Sequence, residues 1–360
     1  MKFSRFGAKL REASLGYALL IPSLLVFGVF VFYPFIYNFS TGSYRSGIGN
    51  RPSIYVGYER WRTLLDLNVF LPSLLKGLVG GLVLGAVVFA VRRSRGADSR
   101  TALRGVIALV GFVAVLGGIV IFIRASSSTF AASLDVTGRF WIMTVPPVLI
   151  LGTLMAVVSQ RVVRGTGIFR TFFMLTLATG VGVAGVIFFT LLSPNVGVLP
   201  WLGISPKPQA LANPTWALPS VAIFATWANA GLAFIMLSAG LQSIPDDLYE
   251  AAELDGAKPV RRFFHITMPQ LSPTLLFVFV IGSITSLIQS FPYIDVTTEG
   301  RPGGRTATLP WVLVQNLNGT TPDRNAAAVY SVALFGIALI LTVIQMVVLE
   351  RRVHYRSEQR

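Results

Sequence analysis

The chain is 360 residues long, 53% hydrophobic and only 12% charged, with a formal charge of +15 and a mean hydropathy of +0.68. A soluble protein needs about a quarter of its residues charged to wet its surface, so this composition excludes a soluble enzyme and implies an all-α, polytopic membrane protein. Cysteine is absent, which excludes disulfides, thiolate metal ligands and a cysteine nucleophile, and the two histidines, His265 and His354, leave little for a zinc site.

Stretches without Asp, Glu, Lys or Arg, each near the ~20 residues a helix needs to cross the hydrocarbon, mark about eight transmembrane helices. In chain order they are Tyr17–Phe39, Gly77–Val91, Gly105–Ile123, Phe140–Val158, Thr171–Leu192, Pro219–Gly240, Ser272–Pro292 and Ala326–Leu349. Met1–Arg11 and the apolar run after it have the layout of a secretory signal. That run continues through Tyr33-Pro34-Phe35 without a small-residue cleavage site, so it is read as a retained first span. The second span is short, and Leu67–Leu75 on its outer flank could extend it past Lys76. Its Gly77, Gly81 and Gly85 either admit a neighbouring helix closely or reflect how common glycine is in membrane helices.

An even number of spans puts both termini on one side. The termini and the loops 92–104, 159–170 and 241–271 carry 19 Lys and Arg, against 11 on the longer loops opposite, so both termini are expected in the cytoplasm. Basic residues spread over five short segments anchor helices, whereas a nucleic-acid footprint would form one stripe interleaved with aromatics; no nucleic-acid partner is expected. None of the eight segments contains Asp, Glu, Lys, Arg or His. Proton- and sodium-coupled carriers generally hold such a group in the bilayer, although sodium can be held by carbonyls and hydroxyls alone. A self-contained secondary carrier is therefore the alternative of another class, and the energy is expected from outside the chain.

The loop Leu241–Leu271 holds five of the fifteen acids: Asp246, Asp247, Glu250, Glu253 and Asp255. It reads as a short helix with specified ends. Ser243 and Asp246 resemble a capping box, Pro245 suits the first turn, and Gly256 can stop the helix in a left-handed conformation. Leu248, Ala251, Ala252 and Asp255 would share one face. On residue chemistry alone this is equally a connector helix lying on the membrane surface.

Glu250-Ala251-Ala252, three residues, Gly256, nine residues and then Ile266-Thr267-Met268-Pro269 resembles the EAA signature of bacterial ABC importer permeases, E-A-A-x3-G-x9-I-x-L-P. Met268 in the leucine position is the one departure, and it conserves volume. Leu241-Gln242-Ser243-Ile244-Pro245, Asp255-Gly256-Ala257 and Tyr33-Pro34 are similar to the carbohydrate-uptake branch of the type I importers, the maltose and glycerol-3-phosphate permeases. The resemblance covers the first span and its outer loop, then the chain from about Phe140 onward. It fails between about Leu74 and Ser133, and Thr298-Glu299-Gly300-Arg301-Pro302 stands where the family usually shows Gly-Gly-Pro.

The resemblance implies a type I ABC importer permease fold with an extra helix pair. Residues 1–73 would be the N-terminal tail, first span and outer loop, 74–133 the inserted pair, 134–349 the permease core with its EAA loop at 241–271, and 350–360 a cytoplasmic tail. It also implies that Glu250, Ala251, Ala252, Asp255 and Gly256 dock on a cytoplasmic ATPase, whose closure turns the spans as rigid bodies. The implied partners are a second permease subunit, two ATPase subunits that bind ATP and Mg, an extracytoplasmic substrate-binding protein and membrane lipid. The chain itself would hold no cofactor or metal and catalyse nothing. In the sixth and seventh spans, Thr226, Trp227, Asn229, Ser283, Ser286, Gln289 and Ser290 offer the hydroxyls, amides and ring that a polyhydroxylated solute needs. Polar groups in membrane helices also bond to neighbouring helices. The absence of a cation in the spans favours a neutral sugar, with glycerol 3-phosphate or a related polyol as the alternative.

Overall fold

A computed structural model describes residues 20–47, 53–94, 110, 117–161, 166–193, 197, 201 and 210–349. Apart from one short two-stranded ribbon, the described elements are helices. Helix α1 (Leu20–Thr41) passes through a π-turn at Gly28–Phe32 and leads into a loop in which β1 (Tyr44–Arg45) pairs antiparallel with β2 (Ile54–Tyr55). Next come α2 (Glu59–Leu64), α3 (Leu67–Ser94), α4 (117–125), α5 (Thr129–Arg161), α6 (Thr166–Ala178), α7 (Val181–Leu192) and α8 (Ala217–Gln242). The charge-rich loop contributes α9 (Asp247–Leu254), and α10 (Pro259–Ile288), with a π-turn at Phe263–Thr267, leads back into the bundle. α11 (Ser290–Thr297), α12 (Leu309–Asn318) and α13 (Arg324–Leu349) complete the described chain. Among the described residues, six helices are long and apolar enough to cross a membrane.

Several spans differ from their sequence boundaries. The third lies largely outside the described residues. The second is lengthened to Leu67–Val91 and so contains Lys76; the fourth begins at Thr129 and contains the Asp135–Arg139 pair, whose Nε–Oδ1 separation is 3.1 Å. Charge-free stretches therefore understate these helices, because exposed long side chains can reach the interface. The fifth span is not continuous: the backbone at Gly180 turns extended (ψ 142°), separating α6 from α7. The seventh stops at Ile288, so Ser290 opens a new helix and does not share one helix with Ser283 and Ser286.

Lipid tails are as apolar as leucine, so these helices associate by close packing more than by hydrophobic burial. Small residues decide where they meet. α5 crosses α8 at Gly152, where an added Cβ would lie 2.8 Å from the Ala233 methyl; Gly240 likewise meets Thr274 of α10. Gly77, Gly81 and Gly85 are all buried on α3, as is Ser73 one turn earlier, and Gly117 of α4 lies against Gly77. Gly77 thus serves helix contact. Three apolar clusters follow along the bundle: one around Phe122, Phe130 and Leu309, one around Phe140, Phe224 and Ile294, and one around Phe234, Leu237 and Leu271 next to the charge-rich loop.

No residue of the α1 span is fully buried within the chain. Its C-terminal end is held by Phe35 against Phe335 of α13 and by Gly42 under Trp61, beside an ion pair between Arg60 and Asp323. Asp323 also accepts from Ser46 Oγ at 2.7 Å and from the Ala326 N–H at 3.0 Å. Burial pushes the Asp323 carboxyl up, but those two hydrogen bonds and the Arg60 charge outweigh it, so its pKa lies below the ordinary value. A lowered folded pKa stabilises at neutral pH and loses that contribution as pH falls through the lowered value. Acidification below about pH 4 should therefore lower the melting temperature of the purified protein, and Asp323→Asn should flatten that response. Differential scanning fluorimetry across pH checks it.

Candidate functional site

The charge-rich loop is built from both sides. Ile244 and Leu271 are buried in the cluster beside it, and Tyr249 Oη lies 3.0 Å from Thr267 Oγ1, tying α9 to the π-turn of α10. Arg262 Nη1 donates to Glu253 at 3.0 Å. The expected capping box is not formed. Ser243 and Asp246 already have helical φ and ψ, and the Ser243 hydroxyl donates back to Gly240 O at 2.7 Å, leaving no extended N-cap residue.

The helix stop is formed as expected. Gly256 sits at φ +71°, its N–H donates to Glu253 O and the Ala257 N–H donates to Ala252 O, both at 2.9 Å. This is a Schellman closure, which needs a left-handed residue and so favours glycine. Glu250, Ala251, Asp255 and Gly256 are exposed and Ala252 is half-buried. Nothing in the sequence pattern shows how much apolar surface accompanies them: Leu254 is 90% exposed, and Val260 and Phe264 are exposed as well.

The candidate path residues fall into two groups. Trp227 is half-exposed, with its ring 5.5 Å from that of Phe188, which stacks on Phe224. Asn229 Nδ2 donates to Ala225 O at 2.7 Å and to Tyr293 Oη at 3.0 Å, while Gln289 is exposed at the break between α10 and α11. In contrast, Ser283, Ser286 and Ser290 are buried between helices. Ser283 accepts from Gln345 Nε2 at 2.8 Å, and Ser290 Oγ lies 3.0 Å from Thr308 Oγ1. Thr226 donates to Ala222 O. Tyr293 and Gln345 are partners that the sequence does not single out: the first follows a span and the second is one polar residue in an apolar helix. A buried Gln beside a buried Ser on another helix is the available signal.

Among the described residues no group of His, Asp or Glu could hold a metal ion. The geometry therefore offers an exposed, rigidly stopped helix on one face and a polar and aromatic strip within the bundle.

Residues 148–355, which include the whole of that loop, match the family model described as binding-protein-dependent transport system inner membrane component. The chain belongs to this family. Its loop is thus part of the matched permease region, and residues before Val148, including α3 and α4, lie outside the match. The permease is similar to the sn-glycerol-3-phosphate transport system permease protein UgpA of Agrobacterium fabrum, 34% identical over 234 residues, covering 64% of this chain and 79% of the relative. The same-named protein of Brucella abortus is 32% identical over 251 residues, covering 69% and 82%. Among solved structures, a bacterial ABC transporter involved in import of the acidic polysaccharide alginate has a chain that superposes with a TM-score of 0.66 at 19% identity, covering 96% of this chain and 99% of that one. At that identity the likeness speaks for the fold, an ABC importer permease.

Proposed function

We propose that this permease is one of two membrane subunits of an ATP-driven ABC importer that takes up a carbohydrate-class solute by alternating access. The observation that carries this reading is the exposed α9, stopped by Gly256 at a left-handed turn inside the family match. A second permease, two ATPase subunits that bind ATP and Mg, and an extracytoplasmic binding protein complete the machine. Both termini lie in the cytoplasm of a bacterial inner membrane, an orientation supported by the 19 to 11 bias in Lys and Arg. Residues 74–133 are an inserted helix pair, supported by the glycine contact of α3 with α4 and by a family match that begins later.

For the solute, the half-exposed Trp227 supplies a flat apolar surface and Asn229, held by Tyr293, a fixed amide, a combination suited to a neutral sugar. The names of the relatives favour the second reading, glycerol 3-phosphate or a related polyol. Purification of the tagged chain from its native membrane tests the assembly: an ATPase and a second permease should accompany it, and if neither does, the importer reading is wrong. Mass spectrometry of ligand held by the accompanying binding protein separates the two solutes. Trp227→Ala should raise the KM for uptake about threefold to tenfold, the loss of one aromatic contact, with little change in the amount of assembled complex. Initial uptake rates across solute concentrations check this.

A further inference from the structure

Between α5 and the first half of α10 lies an open groove of about 700 Å3, lined chiefly by Ile150, Leu154, Phe263, Met268, Leu275 and Phe279. Two hydroxyls, Thr153 and Ser272, also line it. Both already donate to the backbone, to Leu149 O and Pro269 O at 2.7 Å, so the groove offers a polyhydroxylated solute almost nothing to bond. Its surface matches hydrocarbon. A membrane-spanning helix, about 10 Å across and 30 Å long, fills roughly 2,400 Å3, so a neighbouring helix would enter the groove only by its side chains. Single-ligand sites of about 300–1,000 Å3 do match the volume.

One end of the groove is chemically distinct. Phe263 and Met268 bracket the π-turn of α10; the turn before it exposes Lys258, Val260 and Arg261, and Phe264 within it is exposed with its ring against that of Phe263. Arg262 is turned away to Glu253, whereas no carboxylate pairs with Lys258 or Arg261 among the described residues. Basic residues interleaved with exposed apolar ones mark a segment lying at the headgroup level of an anionic leaflet.

We infer that the groove is a binding site for an anionic phospholipid of the inner leaflet, with acyl chain between α5 and α10 and phosphate at Lys258 and Arg261. The inference rests on the proposed cytoplasmic placement of the loop and places the lipid where α9 joins the bundle. The test uses the whole complex in nanodiscs of equal phosphatidylglycerol and phosphatidylcholine, with p-benzoyl-phenylalanine replacing Leu154 in the groove or, as control, exposed Ile223 of α8. After irradiation, intact mass should show a phosphatidylglycerol adduct at position 154, enriched over the lipid ratio found at position 223. Lys258→Gln and Arg261→Gln should each reduce that enrichment about fivefold. An adduct with the second permease, or equal headgroup ratios at the two positions, overturns the inference. Neither result bears on whether an ATPase accompanies the chain, so failure here is distinct from failure of the importer reading.

Discussion

Uptake by a complex carrying Glu250→Arg should fall about thirtyfold or more, while the chain remains in the membrane at its usual level. The structure leaves Glu250 exposed on α9 and without an ion-pair partner among the described residues, so the chain's own fold does not need its charge. At an ATPase interface, reversing a carboxylate removes a charge-assisted bond and sets two cations together, a loss of about 2–5 kcal/mol. Gly256→Asp should act by another route. At φ +71° an L side chain meets its own backbone, at a cost of roughly 1–2 kcal/mol, and relief of that strain would open the bond from Ala257 N–H to Ala252 O and change the angle between α9 and α10. Both changes should leave ATP hydrolysis measurable but no longer linked to transport. Parallel assays of uptake and hydrolysis in proteoliposomes decide it: normal uptake by the double variant sinks the coupling role.

The loop was legible in the sequence because its determinants are local. Glycine after a helical octet and a cluster of acids in one segment are properties of neighbouring residues, and the Gly256 stop follows from them. The spans were legible as apolar runs, though not at their ends. Lys76 and the Asp135–Arg139 pair sit inside helices because an exposed charge on a membrane helix can reach the interface, which a charge-free window cannot represent. The breaks at Gly180 and Gln289 are tertiary. Gly185, one turn beyond the first break, comes so close to Val296 of α11 that a Cβ would lie 2.4 Å from its methyl, so α7 and α11 set each other's direction. No periodicity encodes that. The contact of Arg60 with Asp323 is further out of reach, since its partners are separated by almost the whole permease core. For the same reason, polar residues of the seventh span looked equivalent in sequence. Packing then sent Ser283 to Gln345 and Ser290 to Thr308, paired Asn229 with Tyr293, and left Trp227 and Gln289 exposed.

Gly231→Ala should lower the melting temperature of the purified complex, against the sign that helix propensity gives. In a helix interior alanine is favoured over glycine by about 1 kcal/mol, so an open site gains from the change. Gly231 is not open. On α8 it faces α6, where an added Cβ would lie 2.2 Å from Thr176 Oγ1 and 2.8 Å from the Phe173 carbonyl oxygen. The hydroxyl can rotate away, but the carbonyl belongs to the α6 backbone, so the whole helix must retreat. The Phe173–Phe234 ring contact at 5.5 Å would then loosen. Overpacking of this kind costs about 1–3 kcal/mol and outweighs the propensity gain. Gly138 of α5 is the matched control: it is exposed with nothing within 4 Å of its added Cβ, so Gly138→Ala should hold or raise the melting temperature. Thr176→Ala added to Gly231→Ala should recover only part of the loss, because the Phe173 carbonyl remains. Full recovery would mean that the hydroxyl alone sets the approach of α6 to α8, and that the break at Gly180 is free to adjust.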